Sequence, residues 1–214
     1  MMTKTKPTVN AVLSCDPGKD NYAWAILDLS TGAVIDTGMF GNTLYDLTFM
    51  QFVQQWRRHL VQVKALLRRK DVNFSALCVE RLTPRPGMGS GAAAEYVNLM
   101  IGALYVLARL RGIKLIVPTM PSTWKGWLGS VVSGEKNVRA LESSPVAFGF
   151  PQVLKSERKT DNFPIKEHQF DAIGIGLWFV AVEQHRRLSL KVPDPKKTFE
   201  TCKKSLRRIW KERS

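Results

Sequence analysis

The chain has 214 residues, 44% of them hydrophobic and 23% charged, which suits one folded domain with a full core and excludes both a largely disordered chain and two comfortable independent domains. Lysine and arginine outnumber aspartate and glutamate by 32 to 18, a formal charge of +14, and such a surplus favours a polyanionic partner, nucleic acid first, because bound phosphates release their counterions. Apolar runs at residues 99–108 and 173–182 fall short of the ~20 residues that span a bilayer, residues 1–10 lack an apolar stretch after their lysines, and the cysteines form no CxxC pair, so a cytoplasmic protein without a membrane or zinc partner is expected.

Strand patterns come first, at residues 9–15, 22–28 and 33–40, with connections short enough for an antiparallel meander. Residues 44–69 then take a helical period, with Leu47, Phe52, Trp56, Leu60, Val63 and Leu67 on one face. Residues 74–79 form a brief apolar run that ends at Glu80 and reads as a strand buried on both sides. A loop rich in Pro and Gly follows at 83–91, then a helix over 92–111 that is apolar almost all round and calls for cover on more than one side, as a subunit interface would give. Residues 113–117 make a fifth strand, parallel to the fourth by βαβ spacing. The segment Ser122-Thr123-Trp124-Lys125-Gly126-Trp127 precedes a turn bearing Gly and Ser and a short helical stretch at 135–143, and residues 150–164 read as a long loop. Helical period returns over 165–185, and the basic tail from 193 to 214 carries Phe199, Cys202, Leu206 and Ile209 at helix-face spacing. The order predicts an α/β fold with a five-stranded mixed sheet, strands 1 to 3 antiparallel and strands 4 and 5 parallel, flanked by helices. Residues 1–190 would form the domain and 191–214 a basic helical extension.

Three acids interrupt apolar runs: Asp16 at the end of strand 1, Glu80 at the end of strand 4 and Asp171 inside the last apolar helix. A buried carboxylate is costly unless it is paired or bound to a cation. Parallel neighbours would bring Asp16 and Glu80 together at their C-terminal ends, and a helix docked there would add Asp171. Oxygen ligands suit Mg²⁺ or Mn²⁺, and two such ions could activate water for phosphodiester hydrolysis. His168, three residues before Asp171, shares its helix face and could ligate a metal or steer the water. Taken singly, Asp16-Pro17-Gly18 also reads as an ordinary turn, Asp171 as the partner of an Arg or Lys, and His168 as a core or surface histidine.

The run Val12-Leu13-Ser14-Cys15-Asp16-Pro17-Gly18, followed by Tyr22-Ala23-Trp24-Ala25-Ile26, resembles the opening strand and hairpin of the RuvC-type Holliday junction resolvases. Val79-Glu80 resembles the family's second acidic position, residues 92–112 its interface helix, and His168-Gln169-Phe170-Asp171-Ala172 its final helix. Lys125 and Lys136 fall where the family places basic residues near the scissile bond. The resemblance spans residues 9–185. It implies an RNase H-like fold, a homodimer, two divalent ions per site, and symmetric nicking of four-way DNA junctions by an endonuclease in a bacterial or phage-infected cell. The loop after Glu80 departs from the family in lacking an aromatic to stack at the junction centre, and leaves Arg81, Arg85 and Met88 as its DNA contacts. With the long 150–164 loop and the added tail, the chain looks like the compact versions that bacteriophages encode. Rival readings are an RNase H-like nuclease of flaps, forks or hybrids, and a junction-binding protein without catalysis.

Overall fold

In a computed structural model, residues 8–18, 21–41, 47–81, 91–133 and 167–213 are described. Strand β1 (Val9–Pro17) is buried from Ala11 onward, because it lies in the middle of the sheet with neighbours on both edges and helices on both faces. It pairs antiparallel with β2 (Asn21–Asp28) and parallel with β4 (Val72–Glu80), while β3 (Val34–Gly41) adds to β2 and β5 (Leu115–Thr119) adds to β4 in parallel. The sheet order is β3-β2-β1-β4-β5, the five-stranded mixed α/β arrangement that the sequence predicts.

Alternation along the strands divides the core in two. Leu13, Cys15, Leu77 and Val79 point to one face, covered by α1 (Phe49–Leu66) and α2 (Gly91–Leu110), and Val12, Ala76 and Cys78 to the other. The second face carries α3 (Pro121–Ser133), α4 (Glu167–Trp178) and α6 (Pro195–Arg213). Beyond α4 the helix widens into a π turn (Phe179–Glu183) and closes with α5 (Gln184–Leu188). Asp16 and Glu80 keep the parity of Val12 and Ala76, so both acids belong to the α3 and α4 side.

Several boundaries differ from the sequence expectation, each for a local reason. Helix α1 starts at Phe49 rather than 44, because Thr48 and Gln51 close a capping box in which each side chain receives the other's backbone N–H. Strand β5 starts at Leu115 rather than 113: Gly112, at φ +82°, ends α2 with its N–H and that of Ile113 donated to Arg109 and Ala108 carbonyls, so Ile113 belongs to the helix cap. Residues 121–133, expected to include a turn, form the single helix α3. The basic tail forms α6, which packs Phe199, Cys202, Leu206 and Ile209 into the same cluster as α4. The expected helix at 135–143 and the loops at 83–91 and 150–164 lie outside the described residues, save for Gly91, which opens α2. No helix of the described residues is long and apolar enough to cross a membrane.

Candidate active site

Strands β1 and β4 run side by side in parallel, with Cys15 opposite Val79. The next residue of each is therefore Asp16 opposite Glu80, at the C-terminal edge of the sheet, on neighbouring strands about 4.8 Å apart. Helix α4 lies across β1 and β2 and begins at that edge. Its close approach is possible because residue 176 is glycine: a Cβ there would meet Leu27 Cδ1 at 2.5 Å and Ser14 Oγ at 2.8 Å. The first turns of α4 thus hang over the strand ends. Gln169, buried, donates to Thr37 Oγ1 at 3.4 Å and ties the start of the helix to β3.

Each acid meets a donor from another element. His168 Nδ1 stands 3.0 Å from Asp16 Oδ2, Lys125 Nζ lies 3.4 Å from Asp171 Oδ2, and the Trp124 indole N–H donates to Glu80 Oε2 at 2.7 Å. Trp124 and Lys125 are consecutive residues in the first turn of α3, so their side chains diverge by about 100° and one helix end serves two carboxylates. Lys125 also stands 5.0 Å from the centre of the Trp124 ring, within cation–π range. Trp124 is fully buried, whereas the His168 side chain is 45% exposed. Asp16, Glu80, His168, Asp171 and Lys125 are all brought to this one edge.

The charges are not balanced within it. Burial first, then the negative charge of Asp16 and, less, that of Asp171 raise the Glu80 carboxyl from 4.5 to about 7, against the lowering effects of the Trp124 hydrogen bond and Lys125. A carboxyl raised by burial and by the charges of two neighbouring acids marks a place short of positive charge. Among the described residues, however, no group of three or more His, Cys, Asp and Glu side chains is placed to hold a metal ion as it stands. Asp16, Glu80, His168 and Asp171 share the sheet edge without forming a closed cage, and Trp124, Lys125 and His168 each meet one acid oxygen. The donor chemistry at this edge still fits an oxygen-seeking divalent cation, since Mg²⁺ commonly takes one or two carboxylates and completes its shell with water and phosphate.

Arg81 follows Glu80 at the exposed rim, its N–H bonded to the Thr119 carbonyl at 2.8 Å. Arg85, Met88 and Lys136 lie outside the described residues. Trp124 is the site residue that sequence reasoning misses; the available signal is a tryptophan beside Lys125 just after a parallel strand, whose indole donor needs a partner if it is buried.

The fold is shared with solved structures. Thermus thermophilus RuvC in complex with a Holliday junction substrate superposes with a TM-score of 0.54 at 15% identity, over 82% of this chain and 94% of that one. A second Thermus thermophilus RuvC structure gives 0.54 at 16% identity, over 82% and 95%. The yeast mitochondrial Holliday junction resolvase Ydc2 gives 0.50 at 14% identity, over 99% of this chain and 87% of that one. At these identities the likeness establishes a RuvC-like RNase H fold. Neither a protein-family model nor a curated protein sequence matches the chain.

Proposed function

We propose that this chain is a structure-specific endodeoxyribonuclease that hydrolyses phosphodiester bonds at four-way DNA junctions and works as a homodimer. The observation that carries the reading is the meeting of Asp16, Glu80 and Asp171 at one sheet edge, with His168 and Lys125 in contact with two of them. The RuvC-like fold supports it, as does the formal charge of +14.

Asp16, Glu80, His168 and Asp171 are the side chains that would hold two Mg²⁺ or Mn²⁺ ions. Such ions, when bound, supply Lewis acidity to the attacked phosphate and acidify a bound water. The chain's own groups have distinct tasks. Trp124 fixes one oxygen of Glu80 and leaves the other for a ligand. His168 steadies Asp16 and, half-exposed, stands where an attacking water enters. The Lys125 ammonium, held at the mouth by Asp171, is placed to stabilise charge that develops on a phosphate oxygen. A two-fold dimer would set two such sites against a two-fold branched substrate, which accounts for paired cuts better than a single site does.

The test is cleavage of synthetic four-way junction, fork, flap and linear duplex with and without Mg²⁺. The expected outcome is cutting of the four-way junction that needs the ion. Asp16→Asn or Asp171→Asn should slow it by about 10²–10³-fold or more, the scale of losing a group that stabilises the transition state, while junction binding is kept. Wild-type rates in either variant overturn the reading.

A further inference from the structure

Helix α6 lies alongside β3 and points toward the site. Its start abuts Gly32, where an added Cβ would fall 2.3 Å from Thr198 Cγ2; Ser205 Oγ accepts from the Val34 N–H at 2.8 Å; and Arg213 reaches Asp36 at 2.6 Å and the Thr37 carbonyl at 2.7 Å. The contacts advance along both elements together, so α6 runs parallel to β3. Strand β3 in turn runs in the direction of β1, being antiparallel to β2, and Met39 shares a row with Ala23 and Asp16. The C-terminal end of α6 is therefore at the catalytic edge. Thr37 stands two strands across and two residues back from Asp16, about 12 Å away by standard strand spacing.

The inner face of α6 is accounted for by Thr198, Phe199, Cys202, Ser205, Leu206 and Ile209, all buried. The outer face is not. Lys204, Arg207, Arg208 and Lys211 are exposed and fall at i, i+3, i+4 and i+7, which lines them in one stripe; Lys197 lies on the same line a further seven residues back, beyond Glu200, whose carboxylate is paired with Lys203. Among the described residues Lys204, Arg207 and Lys211 form no ion pair, and the acid that Arg208 meets, Glu212, is 3.8 Å away on the surface. Like charges at this spacing oppose helix formation. A helix that keeps four of them in line gains from a polyanion laid along it.

We infer that the outer face of α6 is a phosphate-binding rail for the duplex arm that leaves the cut site. The inference rests on the nuclease reading above and adds which arm surface the protein grips. Lys197 to Lys211 covers about 21 Å of helix, comparable with six base pairs at ~3.4 Å each. Starting about 12 Å from Asp16, the rail meets backbone phosphates about 4 to 10 base pairs from the scissile bond. Lysine and arginine contacts of this kind fix the register of the duplex without reading its sequence.

The experiment uses the full chain carrying Asp16→Asn, so that the four-way junction stays intact, with and without Lys204→Gln, Arg207→Gln, Arg208→Gln and Lys211→Gln together. Junction affinity is measured by fluorescence anisotropy across a salt series, and backbone protection by hydroxyl-radical footprinting. The four substitutions should weaken binding by at least about tenfold near 0.1 M salt and reduce the slope of log K against log salt by about 3 to 4. Protection should be lost at the arm positions named above and kept at the branch point. Lys204→Gln with Lys211→Gln alone should give about half the slope change, and a thermal melt checks that each variant is folded. An unchanged slope overturns the rail, and so does a footprint unaltered along the arm. If the protein without the four substitutions fails to prefer the junction over linear duplex, the four-way-junction reading falls instead.

Discussion

Glu80 is pulled in opposite directions by folding and by the proposed chemistry. Its carboxyl is raised from 4.5 to about 7, first by burial and then by the charge of Asp16, so without a cation the folded chain favours the protonated form. A raised folded value means a contribution to stability that is complete below about 4.5 and is lost as pH rises through about 7. At ~1.4 kcal/mol per pKa unit the whole effect is of order 3 kcal/mol, or about 6–12 °C in Tm for a chain of this size. In EDTA, the Tm of the wild type relative to that of Glu80→Gln should fall between pH 5 and pH 8. Adding Mg²⁺ at pH 8 should restore the wild type and raise Glu80→Gln less. Differential scanning fluorimetry decides it, and parallel pH curves for the two proteins would take Glu80 out of the proposed ion site. The three acids are legible in the sequence because each breaks an apolar run that has no local need of charge. Trp124 is not, because its partner is 44 residues away on another element and an indole in an apolar helix looks the same whether or not its N–H is engaged.

Helix α4 delivers His168 and Asp171 only if it lies close on the sheet, and Gly176 sets that closeness. A methyl at this position would sit 2.5 Å from Leu27 Cδ1 and 2.8 Å from Ser14 Oγ. Leu27 is a flexible terminus, but Ser14 is fixed by its bond to the Ala25 carbonyl at 3.2 Å, so the helix must lift. Gly176→Ala should therefore cost about 1–3 kcal/mol, the usual penalty for overfilling a packed core, although alanine is the better helix former. It should also reduce kcat by moving Asp171 while leaving junction Kd unchanged, since no DNA contact is assigned to α4 beyond the site. A denaturant melt and single-turnover cleavage read the two effects; a stabilised variant with full activity would show that the contact does not set the helix. Sequence pattern finds α4 because its apolar residues keep the helical period. It misses the π turn at Phe179–Glu183, where one extra residue shifts the register and period alone cannot reveal it. Boundaries at Thr48 and Gly112 are decided by side-chain and left-handed backbone caps, which override the hydrophobic pattern by several residues.

At the scale of the whole molecule, α2 leaves an apolar surface unused. Its inner residues Val97, Met100, Ile101, Leu104 and Ala108 are buried on the sheet, yet Leu99, Val106 and Leu110 remain 47%, 59% and 76% exposed. With Ala103 they fall at i, i+4, i+7 and i+11, the seam spacing of helices that pack in pairs. Gly102, beside the seam, has nothing within 4 Å of where its Cβ would be, so no internal contact explains a helix-breaking residue there. Leu99 and Val106 line one wall of a groove of about 930 Å³ whose other side carries Trp56 and Leu60 of α1. Apolar surface of this kind on a charged protein marks an interface, and a two-fold copy of α2 is the occupant that the proposed homodimer requires. Val106→Glu would place an unpaired charge in the seam, at a cost of several kcal/mol per dimer. It should shift the protein from two chains to one in sedimentation equilibrium at micromolar concentration, while a thermal melt shows the monomer still folded, since Val106 has no part in the core. With the pairing lost, cleavage of the four-way junction should change from two symmetric cuts to isolated nicks, visible as open circles rather than linear products when the junction sits in a supercoiled plasmid. A wild-type chain that sediments as a monomer and still makes paired cuts would remove α2 from the mechanism and leave the exposed seam to another partner.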